Sequence, residues 1–177
     1  PPIIPTEGKD YTEQATDGLD STYIDLSSLG DLTTDYDCIF ICTHIPATSV
    51  TWTMSSVNST ASVAAGNYWN GAWTAMSGFS DGTSDSGKAF AKTGTQSWTA
   101  PTDEIPHYMF GQNGFWYQIY LSSGDLDNGT KASALVYNTT WQPLQHIWDG
   151  AWVDTVETQF YDSSDGAYYT YGSTSID

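Results

Sequence analysis

The sequence predicts an all-β protein: an antiparallel β-sandwich of jelly-roll type with an extended N-terminal arm and a C-terminal extension. Aromatic residues make up 15% of the 177 residues and charged residues only 14%. Ser, Thr, Gly, Asp and Asn fill most of the remainder, the profile of many strands joined by polar turns. Short apolar or alternating runs recur about every 8 to 14 residues, and no interval between them has room for a crossover helix. The length fits one domain plus an extension better than two domains.

Residues 1–20 are rich in Pro, Gly and charge and read as an extended arm able to reach a neighbouring subunit. The start, Pro1-Pro2-Ile3-Ile4-Pro5, reads as the product of cleavage or the cut edge of a larger polypeptide, either of which fits a processed particle protein. A sandwich domain is expected over 21–140, beginning with strands at Tyr23–Leu26 and Cys38–Thr43. In Ser49–Ser55, Val50, Trp52 and Met54 alternate with Ser and Thr, the mark of a half-buried strand.

Tyr68-Trp69-Asn70-Gly71-Ala72-Trp73 places Asn-Gly between aromatic residues and predicts a hairpin with a two-residue turn of positive φ. Residues 77–87 form a polar loop, and Thr95–Thr99 makes a short strand ended by Pro101. After a loop at 105–114 comes Phe115–Leu121, the most apolar strand, with large side chains on both faces as in a central strand covered on each side or at an interface. Lys131–Tyr137 is the last strand of the domain. Residues 141–177 read as an extension or linker with a further hairpin, because Trp148-Asp149-Gly150-Ala151-Trp152 echoes Trp69-Asn70-Gly71-Ala72-Trp73.

Charge narrows the partners. Four Lys, no Arg and 21 acidic residues give a net charge of −17. Phosphate backbones and anionic membranes both need cationic side chains for attraction, so neither nucleic acid nor a membrane is an expected partner. No apolar stretch approaches the length of a membrane span. Cys38 and Cys42, the only cysteines, lie in one apolar run, where extended geometry separates their Cα atoms by about 13 Å. A disulfide tolerates less than about 7 Å, so they are expected to be unpaired, small buried hydrophobes.

From Tyr68 to Tyr137, the segments Tyr68–Thr83, Gly94–Pro101 and Gly114–Ser122 follow in a characteristic order. This part of the chain resembles the β-sandwich modules of tailed-bacteriophage virion structural proteins. In those modules a Tyr-Trp-Asn-Gly hairpin, an Asp-Gly-Thr loop, a strand with Trp-Thr before Pro and a strand with Gly-aromatic-Trp occur in the same order. The sequence departs from the pattern at Gln118, where an Arg is usual, and in the loop 105–112. The resemblance implies a capsid decoration, tail or fibre protein on the virion surface or otherwise extracellular, in contact with copies of itself and other virion proteins.

Catalysis is not signalled: His44, His107 and His146 are scattered, and no Ser or Cys stands in a nucleophile context. Exposed indoles at Trp69, Trp73, Trp148 and Trp152, which flank predicted turns, are candidates for contact with a subunit or with the apolar face of a sugar. With eight Trp and twelve Tyr in the chain, a small core is not expected to hold every ring. No cofactor is expected beyond a structural calcium, for which Asp125, Asp127 and Asn128 are the candidate ligands, although that loop does not complete an EF-hand. Asn58, Asn128 and Asn138 head glycosylation sequons. A host-glycan adhesion module and an extracellular filament subunit assembled by strand donation from residues 1–20 remain the alternatives.

Overall fold

The computed structural model describes residues 8–19, 21–27, 29–139, 159–162 and 167–170. The chain divides into two compact units, Pro1–Thr140 and Trp141–Asp177. In the first unit a short helix, α1 (Thr12–Thr16), precedes strands β1 (Ile24–Asp25), β2 (Ile39–Thr43), β3 (Ser49–Ser56), β4 (Ser62–Trp69) and β5 (Trp73–Ala75). There follow β6 (Ser80–Asp81), β7 (Gly94–Ser97), β8 (His107–Met109), β9 (Gln112–Gly124) and β10 (Lys131–Asn138). In the second unit β11 (Gln159–Asp162) pairs antiparallel with β12 (Ala167–Thr170).

One sheet runs β1-β10-β3-β7-β6 and the other β2-β9-β4-β5, with β8 paired to the start of β9. The pairing is nested. The first strand joins the last (β1 with β10), β2 joins β9, β3 joins β7 and β4 joins β5, all antiparallel. An antiparallel ribbon wrapped into two sheets in this way is a jelly roll, which agrees with the fold read from the sequence.

The alternation that predicts β3 also builds the core. Val50 and Trp52 are fully buried, while Thr53 and Ser55 are exposed. Across the sandwich β9 contributes Tyr117, Ile119 and Leu121 to the same cluster, β2 adds Ile41, and Phe90 enters from a loop and meets Trp52 edge to face at 5.2 Å. Trp52 donates its indole N–H to Gln96 Oε1 at 2.8 Å, and Gln96 donates in turn to Asp81 Oδ1 at 3.2 Å. A buried amide is tolerated here because its polar atoms are satisfied. Beside it the backbones of Gly82 and Gly94 pass so close that a Cβ at Gly82 would strike the Thr95 carbonyl oxygen and one at Gly94 the Gly82 carbonyl oxygen. Glycine is required at both.

Four local features differ from the sequence expectation. Within the arm read as extended, Thr12–Thr16 is helical, and Tyr11 and Ala15 pack against the domain's own core. A helix against β10 shields an edge that β1, paired only with Lys131 and Ala132, leaves open. The Asn70-Gly71 hairpin closes with Trp69 opposite Trp73 through three residues, and only Gly71 among them has positive φ, at 106°. The two-residue turn with positive φ at both positions lies instead at Phe110-Gly111, φ 51° and 79°, inside the stretch read as a loop. Residues 62–67, with small side chains and no aromatic signal, extend β4 before Tyr68. The hairpin expected at Trp148–Trp152 lies outside the described residues, and the described hairpin of that unit is the β11–β12 pair.

Candidate functional site

Side chains on β9 that face away from the core alternate with those that build it. Trp116 on β9, Phe40 and Cys42 on β2, Trp69 on β4 and Trp73 on β5 gather on the outer face of this sheet as a second apolar cluster, joined by Met109. Ring contacts link them: Trp69 to Trp73 at 5.3 Å, Trp73 to Phe40 at 5.3 Å, Phe40 to Phe110 at 5.6 Å and Phe110 to Trp116 at 5.9 Å. Edge-on and tilted pairs at these separations are favourable beyond the area they bury.

The β8–β9 hairpin folds over part of this cluster. His107 stacks on Trp69 at 4.4 Å, and its carbonyl accepts the Trp116 indole N–H at 2.8 Å. The cover is incomplete. Ile105, Tyr108 and Phe110 remain 45%, 68% and 50% exposed along the hairpin and its approach.

On the β2 side of the hairpin lies an open cleft of about 510 Å³ between the rings of Tyr36, Phe40, Phe110 and Trp116, with Asp10 and Asp37 in its wall. Neighbours hold both carboxylates: Thr12 donates its N–H and hydroxyl to Asp10 Oδ1 at 2.9 and 2.7 Å, and the Gly30 N–H donates to Asp37 Oδ2 at 3.1 Å. These hydrogen bonds keep the Asp10 carboxyl below its ordinary value, ionised at neutral pH. Tyr36 and Phe110, the two aromatic rims, both hold left-handed backbone, φ 61° and 51°. Such a conformation costs on the order of 1–3 kcal/mol for a side chain of this size.

The thiols lie on the same outer face. Both cysteines are free and half-buried, and burial pushes both thiols up. They are unpaired as expected, but their place is the outer face rather than the core. Gln118, where the resemblance carries an Arg, is buried between Cys38 and Asn67, donating to Cys38 Sγ at 3.3 Å and accepting from Asn67 Nδ2 at 2.8 Å.

Of the four tryptophans singled out from the sequence, Trp69 is buried, Trp73 is half-buried, and Trp148 and Trp152 lie outside the described residues. Trp69 and Trp73 support the aromatic face from within and do not form its open rim. The cleft residues Tyr36, Phe40, Phe110 and Trp116 carry no turn signal of the Asn-Gly kind. Only the positive φ at Phe110 and Tyr36, invisible in sequence, marks two of them.

In the loop expected to hold calcium, the structure shows hydrogen bonds within the protein at Asp127. Asp127 Oδ2 accepts from the Ser59 N–H and hydroxyl at 2.7 and 2.6 Å, and Oδ1 from the Gly129 N–H and Thr130 hydroxyl at 3.0 and 2.9 Å. Its oxygens are filled by protein donors, which hold its carboxyl far below the usual range. Asp125 and Asn128 are exposed. Among the described residues no three His, Cys, Asp or Glu side chains stand together as a metal site.

The sequon at Asn58 is corrected: the residue is 2% exposed, and its amide nitrogen donates to the Thr60 carbonyl, Ser62 Oγ and the Ala89 carbonyl. It is a structural amide with no access for a glycan. Asn128 and Asn138 are exposed.

At one end of the sandwich, Asp103 accepts from the Tyr68 hydroxyl at 2.8 Å and Asn70 Nδ2 at 2.9 Å, while Glu104 accepts from the Tyr117 hydroxyl at 2.7 Å. Hydrogen bonds from Asn70 and Tyr68 lower the Asp103 carboxyl, and burial raises that of Glu104. The pair ties loop 101–106 to the two sheet tyrosines, which explains the aromatic-Asn-Gly segment in structural terms.

Fold and face together define a jelly-roll module with one aromatic outer surface. No family model, no curated protein and no solved structure matches the chain.

Proposed function

We propose that the chain is a non-catalytic structural protein of a virus particle, a capsid decoration, tail or fibre module of a tailed bacteriophage. It works by holding copies of itself and other virion proteins at the particle surface. The observation behind this is the aromatic outer face with its exposed row Ile105, Tyr108 and Phe110. Adjacent apolar side chains on a rigid hairpin over a packed cluster form the kind of patch that subunit contacts bury. The viral setting is supported by the resemblance of Tyr68–Tyr137, and the net charge of −17 suits a surface exposed to solvent that must not bind nucleic acid.

Light-scattering mass of the purified chain across a range of concentrations tests this. The expected outcome is a defined oligomer, and a monomer at every concentration contradicts it. The open aromatic cleft favours a second reading, a host-glycan adhesion module carried on the same fold.

A further inference from the structure

We propose that the cleft between Tyr36 and Phe110 is a binding site for a neutral saccharide. Its volume of about 510 Å³ falls within the range of small-ligand sites, roughly 300–1,000 Å³. Four aromatic rings line it, of which the exposed Tyr36 and Phe110 offer flat apolar surface to the C–H face of a pyranose over a floor of Phe40 and the buried Trp116. Asp10, Asp37 and the Gln112 amide stand in the same wall, and carboxylates and an amide are the groups that accept from and donate to sugar hydroxyls. A purely aliphatic ligand would desolvate those carboxylates without adding to the hydrogen bonds that Thr12 and Gly30 already supply.

Charge selects among sugars. The cleft is lined by two carboxylates and by no Lys or Arg, on a chain of net charge −17. Sialylated, uronic and phosphorylated glycans are repelled from such a wall, whereas a neutral hexose oligomer is not.

The rim residues supply the strongest argument. Tyr36 and Phe110 are 64% and 50% exposed, yet both hold left-handed backbone. Phe110 is held by its contacts with Phe40 and Trp116. The more exposed Tyr36 ring gains little from packing, so folding alone does not explain why its strained position carries a large aromatic side chain where glycine would relax the chain. A ligand that stacks between Tyr36 and Phe110 does. The site shares only Phe110 with the subunit-contact row, so saccharide binding and self-association are separable properties.

Isothermal titration calorimetry of the full chain with maltotriose, cellotriose and N-acetylchitotriose, with sialyllactose as the anionic comparison, tests the proposal. At least one neutral trisaccharide is expected to bind with a Kd of about 1 mM or tighter, and sialyllactose not at all. Tyr36→Gly and Phe110→Gly should each weaken binding by about tenfold or more, while the urea midpoint of Tyr36→Gly stays level or rises because glycine relieves the positive φ. If Phe110→Gly fails to fold, Tyr36→Gly decides alone. The proposal is overturned if no neutral trisaccharide binds, if binding persists unweakened in the variants, or if sialyllactose binds equally well. An oligomer that binds no sugar would sink this proposal and leave the virion reading standing. A monomer that binds sugar would do the reverse.

Discussion

Along β3 the side chains that point away from the core are Ser49, Thr51, Thr53 and Ser55, whereas Trp116 on β9 joins Phe40, Trp69 and Trp73 on the outside of the opposite sheet. Both strands obey the same period of two, and both bury large residues inward. The hydroxyl face is what a solvated antiparallel sheet presents, with Thr51 and Thr95 sharing a hydrogen bond at 2.8 Å across strands. The aromatic face is a second small core, roofed by a hairpin and left open at its rim. The difference teaches that the two outer faces are built differently, and the proposed function places the working surface on the aromatic one.

The largest predicted effect lies on the aromatic side. Trp116 is 4% exposed, packs on Phe110 and donates to the His107 carbonyl, so Trp116→Ala should cost about 3–5 kcal/mol of stability in urea denaturation. A loss below about 1 kcal/mol would show that the cluster is only a surface feature.

Acid should act on the aspartates held below their ordinary value, Asp10 and Asp103 among them, and most strongly through the loop clasp at Asp127. Its folded-state carboxyl lies below the ordinary value near 3.8 because Ser59, Gly129 and Thr130 donate to it. The stability it contributes is therefore present above that value and lost as pH falls beneath it. Asp127→Asn should flatten this acid limb in denaturation midpoints recorded against pH.

Glu104 has the opposite sign. Burial raises its folded-state carboxyl above 4.5, so its contribution favours the fold at lower pH and declines as pH rises through the window above 4.5. Glu104→Gln should remove that decline while keeping the Tyr117 contact, a small gain at neutral pH.

The smallest effect belongs to the hydroxyl face. Thr51→Ala removes one half-exposed hydroxyl from the Thr95 pair and should change stability by no more than about 0.5 kcal/mol. A loss as large as that of Trp116→Ala would erase the distinction between the faces.

Most of the strands and the sandwich class were legible because alternation and turn chemistry survive in sequence. Val50, Trp52 and Met54 set the inward face of β3, and the strength of Phe115–Leu121 announced a strand central to its sheet with cover on both sides. The rim of the site was not legible. Phe110-Gly111 forms a tight hairpin without Asn or Asp at its first position, so nothing local distinguished it from a loop. Tyr36 and Phe40 belong to the segment before β2 and to that edge strand, which meet Phe110 only in the folded chain. At Asp127 the hydrogen bonds to Ser59, Gly129 and Thr130 were not legible, because oxygen-rich loops that hold a cation and those that hold their own backbone share one composition. Trp69 misled, since an aromatic beside a turn gives no sign of the histidine that stacks over it.

The most direct test of a working and an inert face is the light-scattering mass of two matched double variants beside the parent chain. Ile105→Ser with Tyr108→Ser alters the exposed row of the aromatic side, and Thr51→Ala with Thr53→Ala alters the hydroxyl side, in both cases at positions where the fold should persist. The predicted result is an oligomeric parent, an equally oligomeric hydroxyl-face variant and a monomeric aromatic-row variant. A parent that is already monomeric, or an aromatic-row variant that keeps the parent's mass, would contradict the assignment of the aromatic face as the surface through which this protein works.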